Sequence, residues 1–149
     1  MKIAVCSDEL YPVNDCVVQE LSRLGHEAVL FGAIKSRQAE PWIQTAKAAA
    51  DAITWGVCEE GIFFCWTGTG ISIAANKIPG IRAALCTDAE TAAGARLWNG
   101  ANVLALSNRL LTQDLAKEIL KAWFNTSIDD NSLMAVDEIK ALEEAYRQY

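Results

Sequence analysis

Cys65-Trp66-Thr67-Gly68-Thr69-Gly70 is the stretch of this sequence best placed to do chemistry. It follows Gly61–Cys65 (GIFFC), which reads as a buried strand, and precedes a short helical pattern through Asn76. A thiol therefore stands at a strand end, ahead of a glycine-rich turn and a helix N-terminus. Backbone N–H groups converge there and favour negative charge. The same field lowers a cysteine pKa and makes thiolate accessible. A base beside an anion site suits proton abstraction next to a carbonyl, because the enediolate oxygen needs stabilising. A buried structural cysteine before a tight turn has the same spacing, and spacing alone leans that way. The stretch is not a P-loop, since no Gly-Lys-Ser or Gly-Lys-Thr follows, and no GxGxxG fingerprint is present.

Other polar residues are less specific. Asp8 either caps a helix near Pro12 or binds a hydroxyl and positions a proton. Glu9 and Glu40 read as solvated surface acids. Asn99 and Arg109 lie near the fifth strand, where Arg109 can grip an anion. The single histidine, His26, sits in a helix-to-strand turn and reads as structural, so a site built from several histidines is excluded. Cys6, Cys16, Cys58, Cys65 and Cys86 are odd in number and lack CxxC spacing. No metal site or disulfide framework is expected, and a reducing cytoplasm fits.

The elements that must position these residues alternate. Lys2–Cys6, Glu27–Phe31, Gly61–Cys65, Arg82–Cys86 and Asn102–Leu106 read as strands. Helical patterns cover Pro12–Leu24, the alanine-rich run from Pro41 to about Trp55, Asp88 through Leu97, and Thr112 to about Phe124. Gly32 to Glu40 reads as a polar loop. The pattern predicts an α/β fold, a parallel sheet covered on both faces, with its site beyond the carboxyl ends of the strands. That directs attention to Ser7–Tyr11, Gly32–Pro41, Cys65–Gly70, Thr87–Asp88 and Ser107–Arg109. A last helix from Asp130 carries Leu133, Val136, Ile139, Leu142, Tyr146 and Tyr149 along one stripe. It closes the sheet's helical layer or covers a partner subunit, and the pattern does not choose.

The chain has 149 residues, 52% hydrophobic and 21% charged, which fits one folded domain with a core of its own. The net charge is −6, and residues 129–149 hold six acids against Lys140 and Arg147. No basic face is evident, which argues against a nucleic acid or an anionic membrane as partner. No apolar run reaches about 18 residues, so no membrane span is expected. The opening MKIAVCSD reaches a carboxylate too early for a signal peptide.

Longer matches sharpen the reading. They are MKIAVCSD at 1–8, LGHE at 24–27, Gly61–Cys65 with Thr67, Gly68 and Gly70, IAANK at 73–77 and PGIRAALC at 79–86. Ala95–Leu97, Asn99, ANVLAL at 101–106, Arg109 and Trp123 with Asn125-Thr126 complete them. The chain resembles the ribose-5-phosphate isomerase B / galactose-6-phosphate isomerase family over about residues 1–126. The resemblance implies a Rossmann-like three-layer αβα domain with a five-stranded parallel sheet, and residues 127–149, outside it, read as an extra C-terminal helix. It implies a homodimer with sites at the subunit boundary, leaving further pairing into tetramers open. It implies interconversion of aldose and ketose phosphates with no cofactor and no metal. Carried over, Cys65 is the base, and the amides of Thr67, Gly68, Thr69 and Gly70 hold the enediolate. Asp8 and Asn99 meet substrate hydroxyls, and Arg109 is one phosphate arginine.

The departures are as informative. Glu9 stands where the family has His, and Glu40 where it has Tyr. Trp98 replaces the ring-opening His, and Trp66 replaces Gly. The Gly-Gly-Arg-His tail stretch reads DDNSLMAV at 129–136. A phosphate dianion wants several charge-assisted donors. Only Arg109 remains, with Glu9 and Glu40 added. The expectation is an aldose–ketose isomerase acting through a cis-enediolate on a small sugar or sugar derivative, its specificity shifted from ribose 5-phosphate. Trp66 and Trp98 narrow the pocket. A conventional ribose-5-phosphate isomerase and an inactive sugar-binding relative are the alternatives.

Overall fold

Five short apolar runs form one parallel sheet in the computed structural model of the chain, which describes residues 1–147. The strands are β1 (Lys2–Ser7), β2 (Glu27–Gly32), β3 (Glu60–Cys65), β4 (Ala83–Leu85) and β5 (Val103–Ser107). Their order is β2-β1-β3-β5-β4. Seven helices accompany them: α1 (Pro12–Arg23), α2 (Ala33–Ser36), α3 (Trp42–Thr54), α4 (Thr69–Asn76), α5 (Ala89–Asn99), α6 (Gln113–Asn125) and α7 (Asp130–Tyr146).

Side chains alternate across each strand, so the sheet feeds two cores. Ile3, Val5, Ile62, Phe64, Leu104 and Leu106 point to one face, under α1, α5 and α6. Ala4, Cys6, Phe63, Cys65, Val103 and Ala105 point to the other, under α3 and α4. Ala46, Ala49, Ala50 and Ala52 of α3 are all buried, and their small size lets that helix lie close to the sheet. The result is the three-layer α/β architecture expected from the sequence.

A buried ion pair ties three elements at the amino end of β3. Arg96 Nη2 lies 2.8 Å from Glu60 Oε1. Trp123 Nε1 donates to Glu60 Oε2 at 2.8 Å, and the guanidinium lies over the Trp123 ring. At the same end of the sheet, His26 stacks on Phe124 with ring centroids 4.3 Å apart.

The last helix packs on its own chain. Asp129 caps it by accepting from Ser132 N–H, and the Ser132 hydroxyl donates to the Leu97 carbonyl. Val136 sits against Gly100, and the Glu143 carboxylate accepts from Gly80 N–H at 3.1 Å. Of the expected stripe, Val136 is buried while Leu133, Leu142 and Tyr146 are exposed. Tyr149 lies outside the described residues.

Some details differ from the sequence reading. The segment expected as a polar loop contains the single turn α2, which closes with Arg37 at a left-handed φ of 64°. Asp8 does not cap α1. Tyr11 is the N-cap residue, and its N–H donates to Asn14 Oδ1 at 2.8 Å, because Pro12 opens the helix one residue later.

Candidate active site

The carboxyl ends of β1, β3 and β5 meet at one rim. β3 ends at Cys65, which pairs in register with Ser107 of β5. Cys65 is 6% exposed, so its thiol is shielded within the chain. The Asn108 N–H donates to the Cys65 carbonyl at 2.9 Å. Arg109 N–H and the Ser107 hydroxyl both donate to the Trp66 carbonyl. The β5 end thereby fixes the backbone on both sides of the Cys65–Trp66 link.

The turn then reverses into α4. Gly68 takes φ +78°, and a Cβ there meets Leu85 Cδ1 at 2.5 Å and the Leu106 carbonyl carbon at 3.0 Å. Only glycine fits that conformation and that gap. Thr69 and Gly70 open α4, and the N–H groups of a first helical turn lack intrahelical acceptors, which suits an anion. Thr67 and Thr69 hydroxyls are hydrogen-bonded to each other at 2.6 Å, which locks the turn.

Asp8 approaches from β1. Its Oδ1 is buried and has no hydrogen-bond partner among the described residues. Burial pushes its carboxyl up, and the charge of neighbouring Glu9 adds to the effect. Such an orphan is costly to bury and suited to accepting from, or donating to, a substrate hydroxyl. Glu9 accepts from the Tyr11 hydroxyl at 2.9 Å. The Tyr11 and Trp66 rings lie 5.6 Å apart and tilted by 36°. Glu40 is joined to the rim through its backbone, its N–H donating to the Asp8 carbonyl at 2.8 Å. Arg109 is exposed and makes no ion pair among the described residues.

One chain thus brings together Asp8, Glu9, Glu40, Cys65, Trp66, Thr67, Gly68, Thr69, Gly70 and Arg109. It does not bring Trp98 and Asn99. Both lie at the far end of α5, whose eleven residues run back about 16 Å from the strand ends. They border an open groove of about 1120 Å³ along the β4 edge, with Asn76, Arg82, Leu142 and Tyr146.

The sequence directed attention to segments of this rim without naming every residue that shapes it. Tyr11 closes the Ser7–Tyr11 segment, and Trp42 sits one residue past Gly32–Pro41. The Trp42 ring is 3.4 Å from where a Gly70 Cβ would be, so it walls the turn. Ser7, Asn14 and Asn108 were also missed. An aromatic residue beside the segment was the available signal for Trp42; nothing in spacing reveals the polar trio. Among the described residues no cluster of His, Cys, Asp or Glu could hold a metal ion, and no helix is long and apolar enough to cross a membrane.

Residues 3–139 match the Ribose/Galactose Isomerase family. The chain belongs to that family. It is 36% identical over 129 residues to ribose-5-phosphate isomerase B of Escherichia coli, covering 86% of each chain. It is 30% identical over 132 residues to 4-deoxy-4-sulfo-D-erythrose isomerase of a Clostridium species, covering 88% of this chain and 83% of that one. The structure superposes on ribose-5-phosphate isomerase B of Clostridium thermocellum with a TM-score of 0.89 at 36% identity, over 98% and 99% of the two chains. The protein is accordingly an isomerase of the aldose–ketose class, as the resemblance led one to expect.

Proposed function

We propose that this isomerase interconverts a short, open-chain aldose and its ketose through a cis-enediolate, with Cys65 as the base. The observation that carries the reading is the Cys65–Gly70 turn, with a thiol, the N–H groups of a first helical turn and an orphaned Asp8 oxygen on one rim. Cys65 as thiolate takes the proton from the carbon beside the carbonyl. The electron pair moves onto the carbonyl oxygen, and the Thr67–Gly70 amides hold the negative charge that forms there. The thiol returns the proton to the neighbouring carbon. Asp8 carries the remaining proton between the two oxygens. No cofactor takes part in these steps.

Trp98 supports an open-chain substrate, because it stands where the resemblance places a ring-opening histidine. A four-carbon aldose whose 4-hydroxyl is replaced or esterified cannot close a furanose ring. The sulfoerythrose isomerase relative acts, by its name, on such a compound. Glu9, Glu40 and the lone Arg109 support a shift away from ribose 5-phosphate.

The same reading puts each site at the boundary of two copies. Trp98 and Asn99 reach a Cys65 turn only if it belongs to a second chain, and the β4-edge groove is the face we assign to that contact. The protein then works as a dimer.

Proton NMR in heavy water tests the chemistry. Tetroses, pentoses and hexoses are each paired with their phosphate esters, for wild type and Cys65→Ala. Deuterium is expected at the carbon beside the carbonyl of a four-carbon substrate, and the variant loses it by a factor of about 10² or more. Exchange that survives in Cys65→Ala removes Cys65 as base. Exchange confined to ribose 5-phosphate overturns the shifted specificity.

A further inference from the structure

We propose that Glu9, held in place by Tyr11, sorts substrates by the charge at the end remote from the reacting carbons. The isomerase admits an uncharged or singly charged end and turns away a phosphate dianion. The inference rests on the isomerase reading of the Cys65 turn and adds the substrate's charge class to it.

Position comes first. The Tyr11 hydroxyl donates to Glu9 Oε2, and the Tyr11 ring lies against Trp66, the residue that follows Cys65. An acid that would otherwise sweep through solvent is thereby tied to a ring that rests beside the residue after Cys65. Tyr11 engages one carboxylate oxygen and leaves Oε1 to accept from a substrate hydroxyl.

Rigidity comes second. The loop that carries Glu9 is bolted from beneath by a buried polar chain. Asn14 Nδ2 donates to Asn108 Oδ1 at 2.8 Å, Asn108 Nδ2 donates to Ser7 Oγ at 3.0 Å, and Ser7 Oγ donates to the Glu9 carbonyl. Ser7 and Asn14 are fully buried, and Asn108 is nearly so. A satisfied buried network of this kind holds one geometry. Glu9 cannot retreat from an incoming anion by shifting its loop.

Charge comes third. Arg109 is exposed and makes no ion pair among the described residues, while Arg37 on the β2 side is engaged by Asp15 at 3.1 Å. A single arginine offset by a fixed carboxylate suits a hydroxyl or a monoanion. A dianion meets repulsion that one cation does not cancel.

The test uses three four-carbon substrates whose far ends carry no charge, one charge and two charges: 4-deoxy-D-erythrose, its 4-sulfo derivative and D-erythrose 4-phosphate. None of them can close a furanose ring. In Glu9→Gln the ratio of kcat/KM for the phosphate to that for the uncharged sugar is expected to rise about tenfold. Tyr11→Phe, which frees the carboxylate without removing it, is expected to move the same ratio in the same direction by less. Calorimetric titration of inorganic phosphate into the intact protein gives a reading independent of turnover, and Glu9→Gln is expected to bind it about tenfold more tightly. If nothing turns over but phosphate binding tightens, the isomerase reading fails and the assignment of Glu9 stands. A substrate ratio and a phosphate affinity both unchanged in Glu9→Gln overturn the assignment.

Discussion

Asp8 is held in a place that an isolated carboxylate would avoid. Burial raises its pKa and Glu9 adds to the shift. The folded chain therefore keeps the proton at a pH where the unfolded chain has lost it. Its contribution to stability is full below the ordinary carboxylate pKa and is lost as pH rises through the raised value. Asp8→Asn is thus expected to melt higher than wild type at neutral pH. The difference should fade in acid, and turnover should fall at every pH; thermal scans across the acid-to-neutral range check this. The thiols make a second residue-scale case. Burial and Asp88 push Cys86 up to about 12, and burial raises Cys58 as well. Both stay protonated near neutrality, so iodoacetamide is expected to label Cys65 before either of them, as peptide mass spectrometry would show. Labelling of Cys65 no faster than of Cys16 or Cys58 would end the view of Cys65 as an activated thiol. The sequence revealed Cys65 and its glycines because the chemistry and the backbone geometry both lie in consecutive residues. It hid Tyr11 and Asn108, whose roles depend on partners far along the chain or on where a ring comes to rest.

The elements were easier to read than the contacts between them. Each strand is a compact apolar run, and Asp88 and Thr112 mark helix starts with caps that accept from Thr91 and Leu115 N–H. The turn α2 was hidden because four residues carry no period, and β4 proved shorter than Arg82–Cys86, with Asn76 bonded to the Ala83 backbone at its start. The Glu60–Arg96 pair was equally hidden, as 36 residues separate two ordinary surface-type side chains. That pair joins α5 to β3, and Trp123 of α6 completes it. Arg96→Ala would leave the buried Glu60 carboxylate without its counter-charge. A loss of about 3–5 kcal/mol is expected in urea denaturation, since breaking a buried pair costs far more than the pair is worth. Glu60→Gln combined with Arg96→Met should restore part of it.

At the level of the whole molecule, the sheet divides the proposed site in two. Its chemistry stands at the carboxyl rim, while Trp98 and Asn99 stand at the other end of α5. Trp98 is 68% exposed beside the β4-edge groove, with Leu142 and Tyr146 also open to solvent. Sedimentation velocity is expected to show a dimer that Trp98→Asp weakens, and activity should fall in step with dimer loss. A fully active monomer would refute a shared site. The strand order carries a further consequence, for the route by which the chain folds. β5 lies between β3 and β4 but leaves the ribosome after both. Until residues 103–107 are made, β4 has no neighbour and one edge of β3 is bare. The hydrogen bonds that pin Cys65 and Trp66 come from Ser107, Asn108 and Arg109, and the Ser7–Asn108 bond spans 101 residues. Contacts that distant in sequence form slowly. The Cys65 turn is therefore among the last parts of the domain to be set, and a nascent chain stalled before residue 103 presents an open sheet edge to chaperones or to its own kind.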